Sequence, residues 1–146
     1  MTPNPYQQYR STRVETASRV DLVVMLYQGV VRFTRTAIAA TERGDVRAAH
    51  TGYVRAQDVI AELIATLDHE RGGEVAKQLL ALYDYAFRRL VEANCKKDGV
   101  PAREVVQIFR DLGMAWQELA GRQRQAGPVA ARPIVPAAPA RQLVAV

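Results

Sequence analysis

The chain has 146 residues, of which 49% are hydrophobic and 24% are charged, a composition typical of one globular domain rather than of a disordered or membrane-embedded chain. Lysine and arginine total 20 against 15 acidic residues, a formal charge of +5, and a basic excess is typical of nucleic-acid-binding proteins. The excess is spread along the chain instead of being gathered in one arm, which argues against a phosphate-binding surface.

The two ends of the chain differ from its middle. Residues 1–17 are polar and lack apolar periodicity, and they are predicted to form a mobile N-terminal arm. Residues 127–146 contain four prolines among alanines and valines. Because proline removes a backbone donor and fixes φ, this segment is predicted to form a disordered tail. One helical domain is assigned to residues 18–126.

Capping residues mark the first two helices of that domain. Ser18 is placed to cap the first helix, which is predicted to stop at Gly44, since glycine commonly follows a helix C-terminus. Asp45 is then placed to cap the second helix, which is predicted to run to about Leu67.

Glycine and proline mark the other two helices. The pair Gly72-Gly73 is predicted to be a turn, after which a third helix covers residues 74–97. Pro101 suits the first turn of a fourth helix, which fades near Arg124. No segment alternates with a period of two, so strands are not expected. The predicted fold class is all-α, an antiparallel up-down four-helix bundle.

Apolar residues at spacings of three and four predict the core seam of the second and third helices. The seam comprises Ala49, Tyr53, Ala56, Ile60, Leu63 and Leu67, followed by Val75, Leu79, Leu82, Ala86, Leu90 and Ala93. We assign these positions to packing alone.

Residues suited to catalysis or metal binding are scarce. The two histidines, His50 and His69, lie in no zinc-binding or di-iron motif. Cys95 lies beside two lysines but has no base to activate it as a nucleophile. No glycine-rich phosphate-binding loop is present. We therefore expect no enzyme activity, no metal and no cofactor.

The cysteine content and the N-terminal sequence indicate in which cellular compartment the protein is located. A lone Cys95 cannot form an intramolecular disulfide, so nothing suggests an oxidising environment. No apolar run approaches the ~20 residues that span a bilayer, and the first ten residues lack the apolar core of a secretion signal. The prediction is a cytoplasmic protein without membrane insertion.

The first helix carries more apolar surface than a bundle helix needs. At about 100° per residue, its apolar positions cover roughly 200° of the circumference, against about 100° for a surface helix. The remaining polar arc is shared by Asp21, Gln28, Arg32 and Arg35. Either neighbouring helices and the arm bury this helix unusually deeply, or it lines an apolar groove for a partner segment.

Tyr6 and Tyr9 give the arm an unusual aromatic content for a polar tail. Their spacing of three residues and their amphipathic rings favour docking onto an apolar surface. The arm therefore either packs on its own bundle or gates a partner site.

Three segments resemble the flagellin-specific secretion chaperone family, FliS. The first segment comprises NPYQQY at 4–9, TAS at 16–18 and DLVVMLYQGVVRF at 21–33. The second is ERGGEVAKQLLALYDYAFRRLVEANCKKDG at 70–99, and the third is DLGMAWQEL at 111–119, with the single tryptophan, Trp116. The resemblance covers about residues 4–120, whereas the tail at 127–146 falls outside the family's pattern.

The resemblance implies a four-helix-bundle chaperone without catalysis. Such a protein holds the disordered C-terminal segment of flagellin in the cytoplasm, prevents premature polymerisation and delivers flagellin to the flagellar export gate. A co-chaperone or regulator is a further partner to consider. No nucleic acid and no membrane insertion are implied.

The residues expected to contact flagellin come from the arm, the first helix and the third-helix block. They are Tyr6, Tyr9, Leu22, Met25, Leu26, Tyr27, Val30, Phe33, Tyr83, Tyr85, Arg88, Arg89 and Asn94. For the third helix a structural alternative stays open, since Tyr83 can belong to the core. Arg88 or Arg89 can equally pair with Asp84 or Glu92 along the helix.

Two other functions stay open at this point. A basic helical bundle can bind nucleic acid, with an affinity that falls steeply with salt. A helical bundle can also serve as a scaffold or adaptor that binds another folded protein instead of a disordered tail.

Overall fold

A computed structural model describes residues 19–126, which form four helices: α1 (Arg19–Glu42), α2 (Val46–Ala65), α3 (His69–Lys96) and α4 (Val100–Ala126). Both α1 and α3 pack against α2 and α4, so the helices enclose one core. The predicted four-helix bundle is confirmed. The predicted arm at 1–17, the cap at Ser18 and the tail at 127–146 lie outside the described residues.

The turn between α1 and α2 forms as the sequence predicts. Gly44 has a φ of +75°, a left-handed conformation that glycine adopts without steric cost. The N–H of Asp45 donates to the carbonyl of Ala40 at 2.9 Å, which closes the end of α1. The carboxylate of Asp45 then accepts from the N–H of Ala48 at 3.1 Å and caps α2.

The start of α3 differs from the prediction. Asp68 caps this helix, because its carboxylate accepts from the N–H of Arg71 at 3.0 Å, and α3 begins five residues before the predicted Glu74. Gly73 interrupts the helical geometry within α3, with φ 53° and ψ −125°. The glycine pair was therefore correctly interpreted as a break, but a capped helical turn precedes it.

The core follows the predicted seam closely. All six seam positions predicted on α2 and its C-terminal end are buried. On α3, Val75 and Leu82 are only half-buried, so the prediction was wrong for these two. The buried row of α3 is Ala76, Leu79, Tyr83, Ala86, Leu90 and Ala93. At both misses the buried position is taken by the next residue along the chain, Ala76 and Tyr83.

Neighbouring helices bury most of the wide apolar face of α1. Ten of its residues are buried, and they cover roughly 220° of its circumference at about 100° per residue. Gly52 of α2 allows a close approach on one flank, since a Cβ at this position would lie 2.8 Å from the Cβ of Ala37. Deep burial by neighbours, the first of the two interpretations, accounts for most of this face.

By length and apolar composition alone, α1 would also qualify as a membrane-spanning helix. This differs from the expectation that no segment approaches that length of apolar sequence. In the bundle α1 packs between α2 and α4, and core helices commonly share the composition of membrane spans.

Thr34 lies in the core of α1 and offers a test of the packing. Its side chain is fully buried, and its hydroxyl has no hydrogen-bond partner among residues 19–126. Because a buried hydroxyl without a partner is destabilising, Thr34→Val should raise the free energy of unfolding by about 1 kcal/mol. Urea unfolding followed by circular dichroism measures this change.

Thr36→Val is the matched control for that variant. The exposed hydroxyl of Thr36 donates to the carbonyl of Arg32 at 3.1 Å, so its removal should not stabilise the protein. A Thr34→Val variant less stable than the parent chain would contradict the assignment.

Candidate functional site

Four aromatic side chains form the centre of the bundle. The ring of Tyr27 lies 5.5 Å from that of Phe109, 6.2 Å from that of Trp116 and 6.3 Å from that of Tyr83. The hydroxyl oxygens of Tyr27 and Tyr83 are 2.6 Å apart, a buried hydrogen bond between α1 and α3. Burial raises the pKa of Tyr83 to about 12 and that of Tyr27 further, so both remain protonated.

Three residues predicted to contact flagellin therefore lie in the core. Tyr27, Val30 and Tyr83 are at most 1% exposed, and their side chains are not available on the surface of the folded bundle. For Tyr83 this is the structural alternative that the sequence left open. At these positions the segments serve the packing of the bundle, with the Tyr27–Tyr83 hydrogen bond joining α1 to α3.

Four other predicted residues form one stripe along the side of α1 that borders α2, where Leu26 and Phe33 pack partly against the core. We define the outer stripe as Leu22, Met25, Leu26 and Phe33. Met25 is 41% exposed, and the other three are half-buried. At 100° per residue they lie within about 100° of one another, along roughly 16 Å of helix.

The outer stripe borders α2. The guanidinium of Arg55 lies 5.9 Å from the centre of the Phe33 ring, and that of Arg32 lies 5.1 Å from it. A Cβ at Gly29 would lie 3.9 Å from Val59 of α2, so the backbone of α1 comes close to α2 between Leu26 and Phe33. The result is an apolar strip at the α1/α2 boundary with a cationic edge.

Tyr85 and Arg89 belong to a polar network between α3 and α4. The hydroxyl of Tyr85 donates to the carboxylate of Glu104, and the Nε of Arg89 donates to the same carboxylate at 3.0 Å. Arg89 also pairs with Glu92 at 2.8 Å, and Lys96 donates to Glu92 at 3.0 Å. The sequence did not single out Glu104, because it lies on another helix, 15 residues after Arg89.

Arg88 and Asn94 project elsewhere on α3. Arg88 pairs with Asp84 at 2.8 Å, and both side chains are exposed. The side-chain nitrogen of Asn94 lies 2.9 Å from the Nδ1 of His50 on α2. The helix-surface pairing left open for the two arginines is therefore confirmed.

The predicted binding residues that remain accessible lie on three faces of the bundle, not in one pocket. The outer stripe follows the α1/α2 boundary, Asn94 lies at the α2/α3 boundary, and the Glu104 network follows the α3/α4 boundary. Only an extended ligand that wraps around the bundle can contact all three. The predicted Tyr6 and Tyr9 lie outside the described residues.

The Glu104 network has a predicted response to pH. The hydrogen bond from Tyr85 and, after it, the guanidinium of Arg89 lower the pKa of Glu104 below the ordinary range of a glutamate. The network is therefore intact above the lowered pKa and is lost as the pH falls through it. Tyr85→Phe should move the Glu104 titration midpoint upwards in carboxyl-carbon NMR.

Arg88→Gln is the control for this titration, because Arg88 pairs with Asp84 and not with Glu104. It should leave the midpoint of Glu104 unchanged. A midpoint that Tyr85→Phe does not move would contradict the assigned hydrogen bond.

No metal site emerges from residues 19–126, where histidine, cysteine and acidic side chains form no group of three or more able to hold an ion. The only cysteine, Cys95, is exposed. The described helices thus offer side-chain surfaces for binding and no cluster of metal ligands.

Comparisons with known proteins agree with the resemblance seen in the sequence. The family model described as "Flagellar protein FliS" matches residues 2–123. The chain is 37% identical over 122 residues to the flagellar secretion chaperone FliS of Bacillus subtilis, covering 84% of this chain and 90% of that one. It is 36% identical over 107 residues to FliS of Salmonella typhimurium, covering 73% and 79% of the two chains. Identity to FliS of Campylobacter jejuni is 33% over 114 residues, covering 78% and 89%.

Proposed function

This chain belongs to the flagellar protein FliS family, and from that premise we propose that it is a cytoplasmic export chaperone for flagellin. It binds the disordered C-terminal segment of flagellin, prevents premature polymerisation and delivers flagellin to the flagellar export gate. The bundle acts by binding and performs no catalysis. A co-chaperone or regulator is a further partner in this proposal.

The outer stripe of α1 is the observation that carries the proposal. Leu22, Met25, Leu26 and Phe33 leave an apolar strip partly open to solvent along about three turns of helix. Single exposed apolar residues are ordinary, but an aligned strip of apolar side chains, one exposed and three half-buried, suits a surface that binds a partner. Amphipathic helices of flagellin that must bury their apolar faces to polymerise are suited to such a strip.

The flagellin segment is proposed to continue from the outer stripe across α2 and α3. Tyr85, Arg88, Arg89 and Asn94 supply polar contacts, and Tyr6 and Tyr9 of the arm add aromatic ones. Tyr27, Val30 and Tyr83 support this surface from the core. A disordered ligand loses conformational entropy on binding, so a long contact is needed for useful affinity.

A polymerisation assay tests this proposal. Purified flagellin is induced to polymerise with and without the full chain, and filament formation is followed by light scattering. The proposal predicts suppression at equimolar chaperone, together with protection of the flagellin C-terminal segment from limited proteolysis. Unchanged polymerisation and an unprotected segment would contradict it.

Tyr9→Ala tests the contribution of the arm. We expect weaker binding of the flagellin segment, by about tenfold for the loss of a tyrosine contact at an interface. The thermal unfolding of the helices should be nearly unchanged. A large fall in melting temperature with unaltered affinity would instead show that the arm serves the bundle's own packing.

A further inference from the structure

The fourth face of the bundle, between α1 and α4, carries a groove. This groove is separate from the surface residues that are proposed to contact flagellin. Two depressions of about 510 and 330 Å³ make up this α1/α4 groove, and they meet at Arg35. Its lining on α1 extends from Tyr27 to Glu42, about 22 Å at 1.5 Å per residue. This length matches a helix of about four turns.

The floor of the α1/α4 groove is apolar. Val31 and Phe109 line it, and Met114 is 68% exposed at its edge. Gly113 leaves space over the core, since a Cβ there would lie 4.0 Å from the Cβ of Tyr27. Exposed methionine side chains adapt their shape to an incoming apolar surface, so the floor suits the apolar face of a docked helix.

The rim of the larger depression is positively charged, and in the smaller depression Glu42 is paired with Arg103. Arg32, Arg35 and Arg110 line the larger depression, and no acidic residue lines it with them. Arg88, Arg89 and Arg122 have carboxylate partners elsewhere on the bundle. Among residues 19–126 no ion pair neutralises the three rim arginines. Guanidinium groups without an ion-pair partner favour carboxylates as ligands, because one guanidinium can bind a carboxylate with two hydrogen bonds.

We propose that the α1/α4 groove docks an acidic amphipathic helix of a partner protein, at a site separate from the proposed flagellin-binding surface. The apolar face of that helix lies on Val31, Phe109 and Met114. Glutamate or aspartate side chains along its edges pair with Arg35 and Arg110, whereas Arg32, whose guanidinium lies 5.1 Å from the centre of the Phe33 ring, marks the border with the outer stripe. This is recognition of a helix in a groove, with charge selecting the partner.

Charge also argues against the occupants that the chain itself could supply. Residues 1–18 carry two arginines and one glutamate, and residues 127–146 carry two arginines and no acidic residue. A second copy of the chain has a formal charge of +5. Each would bring like charge to the arginine rim, which disfavours association. An acidic partner is the complementary ligand.

A designed peptide tests the proposal on the full chain. The probe is a fluorescent helical peptide of about 16 residues, with leucine along one face and glutamate on the other. A second peptide has lysine in place of glutamate. We expect the acidic peptide to bind with a micromolar dissociation constant and the basic peptide to bind at least about tenfold more weakly.

Charge reversal in the groove identifies the site. The double variant Arg35→Glu with Arg110→Glu should weaken the binding of the acidic peptide by about tenfold or more. The affinity for the flagellin segment should stay within about twofold of that of the parent chain. Arg47→Glu with Arg71→Glu makes the same change of net charge at exposed positions outside the groove and should leave both ligands unaffected. Met114→Ser gives an independent loss of acidic-peptide binding without any charge change.

Several outcomes would overturn the proposal. Equal binding of the acidic and basic peptides, or equal losses in the two double variants, would show that the groove does not select its ligand. Competition by the flagellin segment would make the groove part of the flagellin surface. Competition by a peptide of residues 1–18, or a dimer that Arg35→Glu dissociates, would identify the chain itself as the occupant.

Discussion

Tyr27→Ala should lower the free energy of unfolding by about 4 kcal/mol, the usual cost of truncating a large aromatic side chain in a core. Tyr27 is fully buried, and its ring contacts those of Tyr83, Phe109 and Trp116 from two other helices. Its loss leaves a cavity where α1, α3 and α4 meet and also leaves the Tyr83 hydroxyl without its partner. Urea unfolding followed through Trp116, the single tryptophan, measures the change.

Two variants control for this result. Tyr27→Phe keeps the ring but removes the hydrogen bond to Tyr83, and it should cost only about 1 kcal/mol. Tyr85→Ala removes a tyrosine that is 40% exposed, so it should cost less than Tyr27→Ala by several-fold. Similar stability of Tyr27→Ala and Tyr85→Ala would contradict the placement of Tyr27 at the centre of the core.

The largest expected effect on binding comes from truncating the outer stripe. Met25→Ala combined with Phe33→Ala should weaken the binding of the flagellin segment by about 100-fold. Truncating each of these two side chains is expected to cost about 1.4 kcal/mol, a factor of ten apiece, and the two together give a factor of about 100. Fluorescence anisotropy of a labelled segment measures the affinity, and circular dichroism checks that the helices remain folded.

Met114→Ala is the matched control for the outer stripe. Met114 is also an exposed methionine, but it lies at the α1/α4 groove. Its truncation should leave flagellin binding within about twofold of the parent chain. Equal losses in Met114→Ala and in the stripe variant would contradict a binding surface centred on the outer stripe.

Most of the fold is predictable from local signals in the sequence. Gly44 and Asp45 form the predicted turn because a left-handed glycine and a capping aspartate act within a few residues of each other. The start of α3 was missed because two signals compete there. Asp68 initiates a helical turn, while Gly73 breaks the helix only afterwards. The periodic pattern could not show which of them sets the boundary.

The candidate site was less predictable, because it depends on which surfaces the helices cover. The width of the apolar face of α1 is a sequence property, but only the packing of α2 and α4 shows that Tyr27 and Val30 are buried while Met25 is exposed. Glu104 meets Tyr85 and Arg89 across a helix boundary, and no local spacing encodes such a contact. Arg110 likewise joins Arg32 and Arg35 only through tertiary structure.

Isothermal titration of the full chain with the C-terminal segment of flagellin tests the central claim most directly. Binding through an apolar strip predicts a dissociation constant in the micromolar range or below and a negative heat-capacity change between two temperatures. The affinity should change little between about 50 mM and about 200 mM salt. No binding at micromolar concentrations, or an affinity that falls by orders of magnitude over that range of salt, would contradict the account.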